Sequence, residues 1–150
     1  MAFPNNNYPR NNGGQRGFQP EPPKPVFDVK MLNQTNFVSC AENVIKKHQT
    51  GNPITTTQLR GLFALLTEMR EILRVRQTAS LDETLQSRIQ YIKMRFVYAA
   101  GRGEKGVHEF MIQSALIDCL DTIKNSAKQF ELVCKYMEAL VAYHKFYINK

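Results

Sequence analysis

Three arginines on one predicted helix are the residues whose type and spacing most clearly point to a chemistry. Arg88, Arg95 and Arg102 stand seven residues apart, and on a helix that turns about 100° per residue they fall within about 40° of one another. They border the apolar face of the same helix, which is formed by Leu85, Ile89, Ile92, Phe96 and Ala99. Their guanidinium groups should therefore emerge at the edge of the core, where they suit a polyanion such as nucleic acid.

Other basic residues extend this pattern. Arg60 follows a predicted helix start, and Lys93 flanks the other edge of the apolar face. Lys105 and Arg102 lie in one glycine-rich segment, residues 101–106, which we call the glycine loop. Such a loop offers free backbone amides and little side-chain bulk to an approaching strand. The candidate phosphate-binding set is therefore Arg60, Arg88, Lys93, Arg95, Arg102 and Lys105, and Arg70 and Arg74 add cations to the second predicted helix.

A structural role for the same arginines stays open. Basic helix faces are common in proteins that bind no nucleic acid, because the cations pair with carboxylates of neighbouring helices. Tyr91 and Tyr98, also seven residues apart, lie next to the arginine row and could stack on bases. Tyrosines at helical spacing are more often buried at a helix contact, and burial is the prediction for both.

Catalytic residues are not indicated. His108 and Glu109 are adjacent, so they point about 100° apart on a helix and do not converge on one substrate. His48 closes an apolar stripe and is predicted to serve packing or capping. Asp118 and Asp121 share a helix face and could hold magnesium, but solvated acidic pairs are far commoner than metal sites. No nucleotide-binding loop, nucleophile elbow or zinc motif is present, so we predict no enzyme, metal or cofactor.

The charge and composition divide the chain into two segments. Of the formal net charge of +7, the share of residues 1–30 is +2 and that of residues 31–150 is +5, because the first segment holds four basic and two acidic residues. The first thirty residues are rich in Asn, Pro and Gly and are predicted to be a disordered tail. Residues 31–150 are predicted to form one helical domain.

The cysteines and the hydropathy pattern favour an intracellular protein. Cys40, Cys119 and Cys134 are odd in number and lack metal-ligand spacing, so they are predicted to be reduced packing residues. No apolar run approaches the roughly 18 residues that span a bilayer. We therefore predict a cytoplasmic protein without a membrane partner.

Helical periodicity runs through the domain and predicts a compact all-α bundle of about five helices. The first runs from near Asn36 to His48, and the second begins at a capping box of Thr55 and Gln58. The same pattern predicts that the third begins at Ser80. The fourth predicted helix follows the glycine loop and continues to Ile123. A final capping box, Ser126 and Gln129, opens a fifth that ends near Tyr147.

Three stretches together resemble one family, namely residues 54–60, 91–102 and 136–147. They are similar to the small subunit of the type III-A CRISPR effector, the Csm complex. The resemblance implies an all-helical, non-catalytic subunit present in several copies along a ribonucleoprotein filament, where it binds the guide RNA and target RNA backbone independently of sequence. It further implies contact with the other effector subunits and self-association along the filament or as a dimer. By matching positions it implies RNA contact by Arg60, Lys93, Arg95 and Arg102.

An alternative function is a helical adaptor or dimer that acts through protein contacts alone. The stretch 140–147 carries aromatic residues on more than one helix face, which hints at burial beyond its own bundle. A helix-turn-helix regulator is disfavoured, since the loop near Thr78 and Ala79 lacks the glycine common in that turn. Copy number, the state of the free protein, the RNA strand contacted and the role of the tail stay open.

Overall fold

The computed structural model describes residues 21–148, which form six α-helices and one short 3-10 helix, Val29–Met31. The α-helices are α1 Phe37–His48, α2 Thr56–Arg76, α3 Glu83–Gly101, α4 Lys105–Ser114, α5 Leu116–Asp121 and α6 Ala127–Tyr147. The predicted all-α class is confirmed for these residues. None of the helices is both long and apolar enough to cross a bilayer.

The helix α6 is the centre of the bundle. It packs against α1 and α2 and, over a smaller area, against α5, while α3 packs against α4 and α5. Much of α6 is therefore buried. Its buried residues include Phe130, Leu132, Val133, Cys134, Tyr136, Met137 and Leu140. Of the aromatic residues that the sequence places in the stretch 140–147, Tyr143 and Tyr147 are half-buried against the core, whereas Phe146 is exposed.

Residues of the predicted tail already contact the bundle. Residues 1–20 lie outside the described range, and residues 21–25 have no regular secondary structure. From Val26 onward the chain is packed, since the Val26 amide donates to the Gln113 carbonyl at 3.0 Å. The Phe27 ring meets Tyr136 edge-on, with 5.5 Å between the ring centroids. Contacts with the core therefore begin before residue 31.

The start of α2 matches its predicted capping box. The Gln58 amide donates to Thr55 Oγ1 at 3.2 Å, and the Thr55 amide donates to Gln58 Oε1 at 2.9 Å. Two backbone donors that the helix cannot satisfy are thereby paired.

The start of α3 differs from the prediction. Its N-cap is Asp82, whose Oδ1 accepts from the Leu85 amide at 2.9 Å, and not Ser80. Ser80 instead pairs with Ser126 in an isolated β-bridge. Because the Leu81 amide donates to the Asn125 carbonyl at 2.8 Å, this short link holds the α2–α3 loop against the start of α6.

The predicted fourth helix is broken into α4 and α5 at Ala115, whose φ of 55° is left-handed. A continuous helix would use the Ser114 carbonyl for its own backbone. Here Tyr136 of α6 donates its hydroxyl to that carbonyl at 2.7 Å. A tertiary hydrogen bond therefore takes the place of a helical one, and the count of helices rises from five to six.

Two buried histidines hold the backbone of Ile54, the residue that leads into α2. The Ile54 amide donates to His48 Nε2 at 2.9 Å, and His144 Nε2 donates to the Ile54 carbonyl at 2.7 Å. Because His48 Nε2 accepts, its Nδ1 carries the proton and donates to Gln113 Oε1 at 2.9 Å. The imidazoles thus connect α1, α4 and α6 to the backbone of one residue, and the predicted packing role of His48 is confirmed.

Gly106 lets α4 approach the same loop. A Cβ at this buried position would lie 2.7 Å from the Asn52 carbonyl oxygen and 3.0 Å from the Pro53 carbonyl oxygen. These are backbone atoms, so they cannot swing aside as the end of a side chain does.

The cysteines are free thiols. Cys119 and Cys134 are buried, and burial raises the pKa of each to about 12. Burial also raises the pKa of the half-buried Cys40. All three therefore stay protonated at neutral pH, as expected of packing residues.

We expect Gly106→Ala to destabilise the protein by about 1–3 kcal/mol, because the added methyl group meets backbone that cannot yield. The matched control is Gly61→Ala on the exposed face of α2, where a Cβ meets nothing within 4 Å. That control should gain up to about 1 kcal/mol from helix propensity. Urea unfolding of both variants measures the difference, and equal stabilities would contradict the close approach.

We expect stability to fall as the pH drops below about 6.5, the ordinary histidine value, because burial lowers the pKa of His48 in the folded chain. Between the lowered pKa and about 6.5 the unfolded chain binds the proton and the folded chain does not. The loss is at most about 1.4 kcal/mol per pH unit for this one group. Thermal melts of the wild type and of His48→Gln between about pH 7.5 and 5 test this expectation. The glutamine keeps one donor and one acceptor but does not titrate, so its stability should depend less on pH. Equal acid slopes in the two proteins would contradict this account.

Candidate nucleic-acid interface

The two arginines of α3, Arg88 and Arg95, and the residue that caps its C-terminal end, Arg102, lie on the outside of the bundle. Leu85, Ile89, Ile92 and Phe96 of this helix are buried, and they fix which side of α3 faces inward. Arg88, Arg95 and Arg102 flank this buried face and are exposed. With a rise of about 1.5 Å per residue, successive arginines are roughly 10.5 Å apart along the axis, so the row spans about 21 Å.

Within residues 21–148, no ion pair involves these three arginines. The alternative that they pair with carboxylates of neighbouring helices is therefore contradicted for the described chain. The sequence also places no Asp or Glu between Thr84 and Gly103. This outer side of α3 therefore carries positive charge that the described residues do not neutralise.

The tyrosines beside the row are exposed, and the predicted burial is wrong. Tyr91 is 51% and Tyr98 is 66% exposed. Arg95 Cζ lies 5.9 Å from the Tyr91 ring centroid, and Arg102 Cζ lies 5.8 Å from that of Tyr98. Arg95 Nη1 also donates to the Tyr91 hydroxyl at 3.0 Å. Each guanidinium is thereby oriented by a ring one turn away, without being neutralised.

Lys93 differs from the other predicted residues. It is half-buried, and its Nζ lies 2.7 Å from Asp121 Oδ1. This ion pair links α3 to α5 and uses one carboxylate of the predicted Asp118 and Asp121 pair. Its ammonium is therefore committed to the bundle.

Arg60 and Lys105 lie at the end of the bundle where α3 stops. Gln58 Nε2 donates to Glu104 Oε2, which joins the start of α2 to the start of α4. Arg60, Arg102 and Lys105 are thus brought to the same end of the molecule, all exposed. Neither Arg60 nor Lys105 takes part in an ion pair of the described chain.

The other cations of α2 serve the fold. Arg70 donates to Glu131 and, at 3.2 Å, to Glu138, both on α6. Arg74 pairs with Glu71 of its own helix at 3.1 Å. These arginines, which the sequence added to the basic set, are therefore neutralised by carboxylates that the sequence did not associate with them.

A groove of about 1060 Å³ lies beside the glycine loop, between residues 21–26 and the start of α4. It is one feature that the sequence patterns did not indicate, because its walls come from segments far apart in the chain. Lys47, Lys105 and His108 line it together with Glu104 and Glu109. The mixed signs of these charges give it no clear preference for an anion.

The histidines do not form a catalytic centre. His48 and His144 hold the Ile54 backbone, and His108 Nδ1 lies 3.2 Å from the Ala100 carbonyl oxygen. Among residues 21–148, no three His, Cys, Asp or Glu side chains are grouped to hold a metal ion. Among the described residues, the row of exposed arginines along α3 is the clearest candidate for a ligand site.

Comparisons with known proteins give related sequences. A family model described as Csm2 type III-A matches residues 31–150. A Mycobacterium tuberculosis H37Rv protein named CRISPR system Cms protein Csm2 is 35% identical over 115 residues, covering 75% of this chain and 92% of that protein. The Streptococcus thermophilus protein of that name is 35% identical over 126 residues, covering 81% of this chain and 99% of its own. An Enterococcus italicus protein of the same name is 36% identical over 98 residues, covering 64% of this chain and 69% of that protein.

We expect the two classes of arginine to differ in their effect on stability. Arg95→Gln and Arg102→Gln should each change the free energy of unfolding by no more than about 0.5 kcal/mol, because neither breaks an ion pair. Arg70→Gln should cost about 1–2 kcal/mol, because it leaves Glu131 and Glu138 without their partner. Denaturant unfolding measures all three, and a large loss for Arg95→Gln or Arg102→Gln would show that these arginines serve the fold.

Proposed function

The chain belongs to the Csm2 family of type III-A CRISPR systems, and from this premise we propose that it is a non-catalytic small subunit that binds the RNA backbone of the effector complex. The ligand is the sugar-phosphate chain of the guide RNA, of the target RNA, or of both. The subunit acts in the cytoplasm, in several copies, beside the other subunits of the complex.

The observation that carries the proposal is the row of exposed, unpaired arginines on α3. Arg88, Arg95 and Arg102 keep their charge available, and the stretch from Thr84 to Gly103 contains no carboxylate that would repel a phosphate. Phosphate contacts position a nucleic acid without reading its bases. Binding of this kind is independent of sequence and leaves recognition to base pairing with the guide.

Five cations are assigned to phosphate contact. Besides the arginine row they are Arg60 and Lys105, which lie at the same end of the bundle as Arg102 and also lack an ion pair among residues 21–148. Lys93 is the weakest member of the predicted set, because contact with a phosphate would require it to share or leave Asp121.

Several copies are needed because one subunit offers few contacts. If one copy neutralises two to four phosphates, its salt slope on a single strand is only about −1.5 to −3. A single copy should then bind RNA poorly, whereas a row of copies held on one strand gains effective concentration. Self-association along the filament or as a dimer supplies such a row.

A second candidate function is that of an adaptor that contacts only proteins. Met94 and Val97 on the outside of α3 are about half exposed, and Phe146 of α6 is 69% exposed. Exposed apolar residues of this kind favour a protein partner. Charge reversal of Arg95 and Arg102 separates the two functions: loss of RNA crosslinking with intact assembly supports RNA contact, and loss of assembly supports the adaptor.

We expect Arg95→Ala/Arg102→Ala to weaken RNA binding by the assembled complex and to flatten its salt dependence. Each phosphate contact on a single strand contributes about −0.7 to the slope, so the slope should become shallower by about 1.4 for every copy that touches RNA. Filter binding at several salt concentrations measures both quantities.

The matched control is Arg74→Ala/Arg76→Ala, which removes the same charge from two arginines that pair with Glu71 and Asp82. This control should leave the salt dependence of RNA binding by the assembled complex unchanged. An unchanged affinity and slope in Arg95→Ala/Arg102→Ala would rule out the proposed RNA contact.

A further inference from the structure

The outside of α3 carries the same pair of residues twice. Tyr91 with Arg95 and Tyr98 with Arg102 are each four residues apart, and the second pair repeats the first after seven residues. In both, the guanidinium carbon lies within 6 Å of the ring centroid, at 5.9 and 5.8 Å. The two rings are therefore about 10.5 Å apart along the helix axis.

Phosphate binding alone does not explain the tyrosines. A ring more than half exposed adds nothing to the bundle core and leaves apolar surface in water. Each ring nevertheless stands beside a cation that no carboxylate of residues 21–148 neutralises. A ring joined to a free guanidinium offers a flat surface for a base next to a charge for its phosphate.

The ligand that fits both the ring and the cation is RNA with unpaired bases. In a duplex the bases are stacked inside, and the narrow major groove of A-form RNA excludes side chains. In a single strand every base has a face that can stack on an aromatic ring, and this stacking tolerates any sequence. The absence of carboxylates between Thr84 and Gly103 favours such a polyanion over an acidic or mixed protein surface.

We propose that Tyr91 and Tyr98 stack on unpaired bases of the bound RNA strand while Arg95 and Arg102 hold the adjoining phosphates. This inference rests on the proposed function and adds to it a preference for unpaired nucleotides. The subunit would thereby hold a guide strand with its bases accessible and without choosing among them.

The first test maps contacts in the assembled complex. The guide carries 4-thiouridine at random positions, so that every register is sampled, and ultraviolet light joins the base to side chains that touch it. Trypsin releases Tyr91 within residues 89–93 and Tyr98 within residues 96–102, each as the only tyrosine of its peptide. Uridine adducts on these two tyrosines are the expected result. Adducts elsewhere on the chain with none in these peptides would overturn the inference.

The second test distinguishes stacking from mere proximity. Guides carrying 2-aminopurine, whose emission is quenched by stacking, are assembled with Tyr91→Leu/Tyr98→Leu or with Tyr91→Phe/Tyr98→Phe. Since base stacking depends on the ring, emission should rise roughly twofold or more at some guide positions in the leucine variant and stay unchanged in the phenylalanine variant. Equal emission in wild type and both variants would overturn the inference.

Two controls separate base stacking from a protein contact and from phosphate binding alone. Phe146→Leu removes an exposed aromatic of α6 and should alter neither adducts nor emission. If the leucine variant fails to assemble while Phe146→Leu assembles, the α3 face is a protein contact and the inference is overturned. A normal salt slope in the leucine variant with unchanged emission would leave the proposed phosphate contact standing and refute the stacking alone.

Discussion

The backbone of Ile54 is the point at which hydrogen bonds from several helices of the bundle meet. Its amide and carbonyl are both buried, and an unpaired buried backbone group would cost about as much as a lost hydrogen bond. His48 accepts from one and His144 donates to the other, while Gln113 fixes the tautomer of His48. Because these side chains belong to α1, α6 and α4, the backbone of this one residue sets the position of three helices relative to the start of α2. The close approach of Gly106 to the same loop completes the constraint and places the start of α4 against the segment that leads into α2.

The cations of α2 and α3 differ in their partners, and the difference follows from where the carboxylates lie. Arg70 meets glutamates of α6, and Lys93 meets an aspartate of α5, so these cations join helices within the bundle. The outer side of α3 faces no helix among residues 21–148 and has no acidic residue of its own between Thr84 and Gly103. A cation there stays available to an outside partner. Part of the charge excess of this domain thus lies where no carboxylate of the described bundle pairs with it.

Much of this could be predicted from the residues alone, and the exceptions have a common cause. Periodicity located the helices, and the Thr55 capping box marked the start of α2 correctly, because both signals are local. The break at Ala115 could not be foreseen, since alanine is the best helix former and the competing hydrogen bond comes from Tyr136, more than twenty residues away. Ser80 lost its predicted capping role to a bridge with Ser126 for a similar reason. In the candidate site, spacing placed Arg88, Arg95 and both tyrosines correctly on α3 and Arg102 at its end. The exposure of both tyrosines and the pairing of Lys93 depend on where neighbouring helices lie, which spacing does not describe.

The central position of α6 affects how the chain is made. A polypeptide leaves the ribosome from its amino end, so α1 to α5 emerge before the helix that fills the space between α1 and α2. Until then their apolar faces have no permanent cover, and contacts between α1 and α6 close a loop of roughly a hundred residues, which slows folding. During synthesis the nascent chain is therefore exposed to aggregation until α6 emerges, and the emergence of this helix, more than any earlier step, should mark the onset of the folded state.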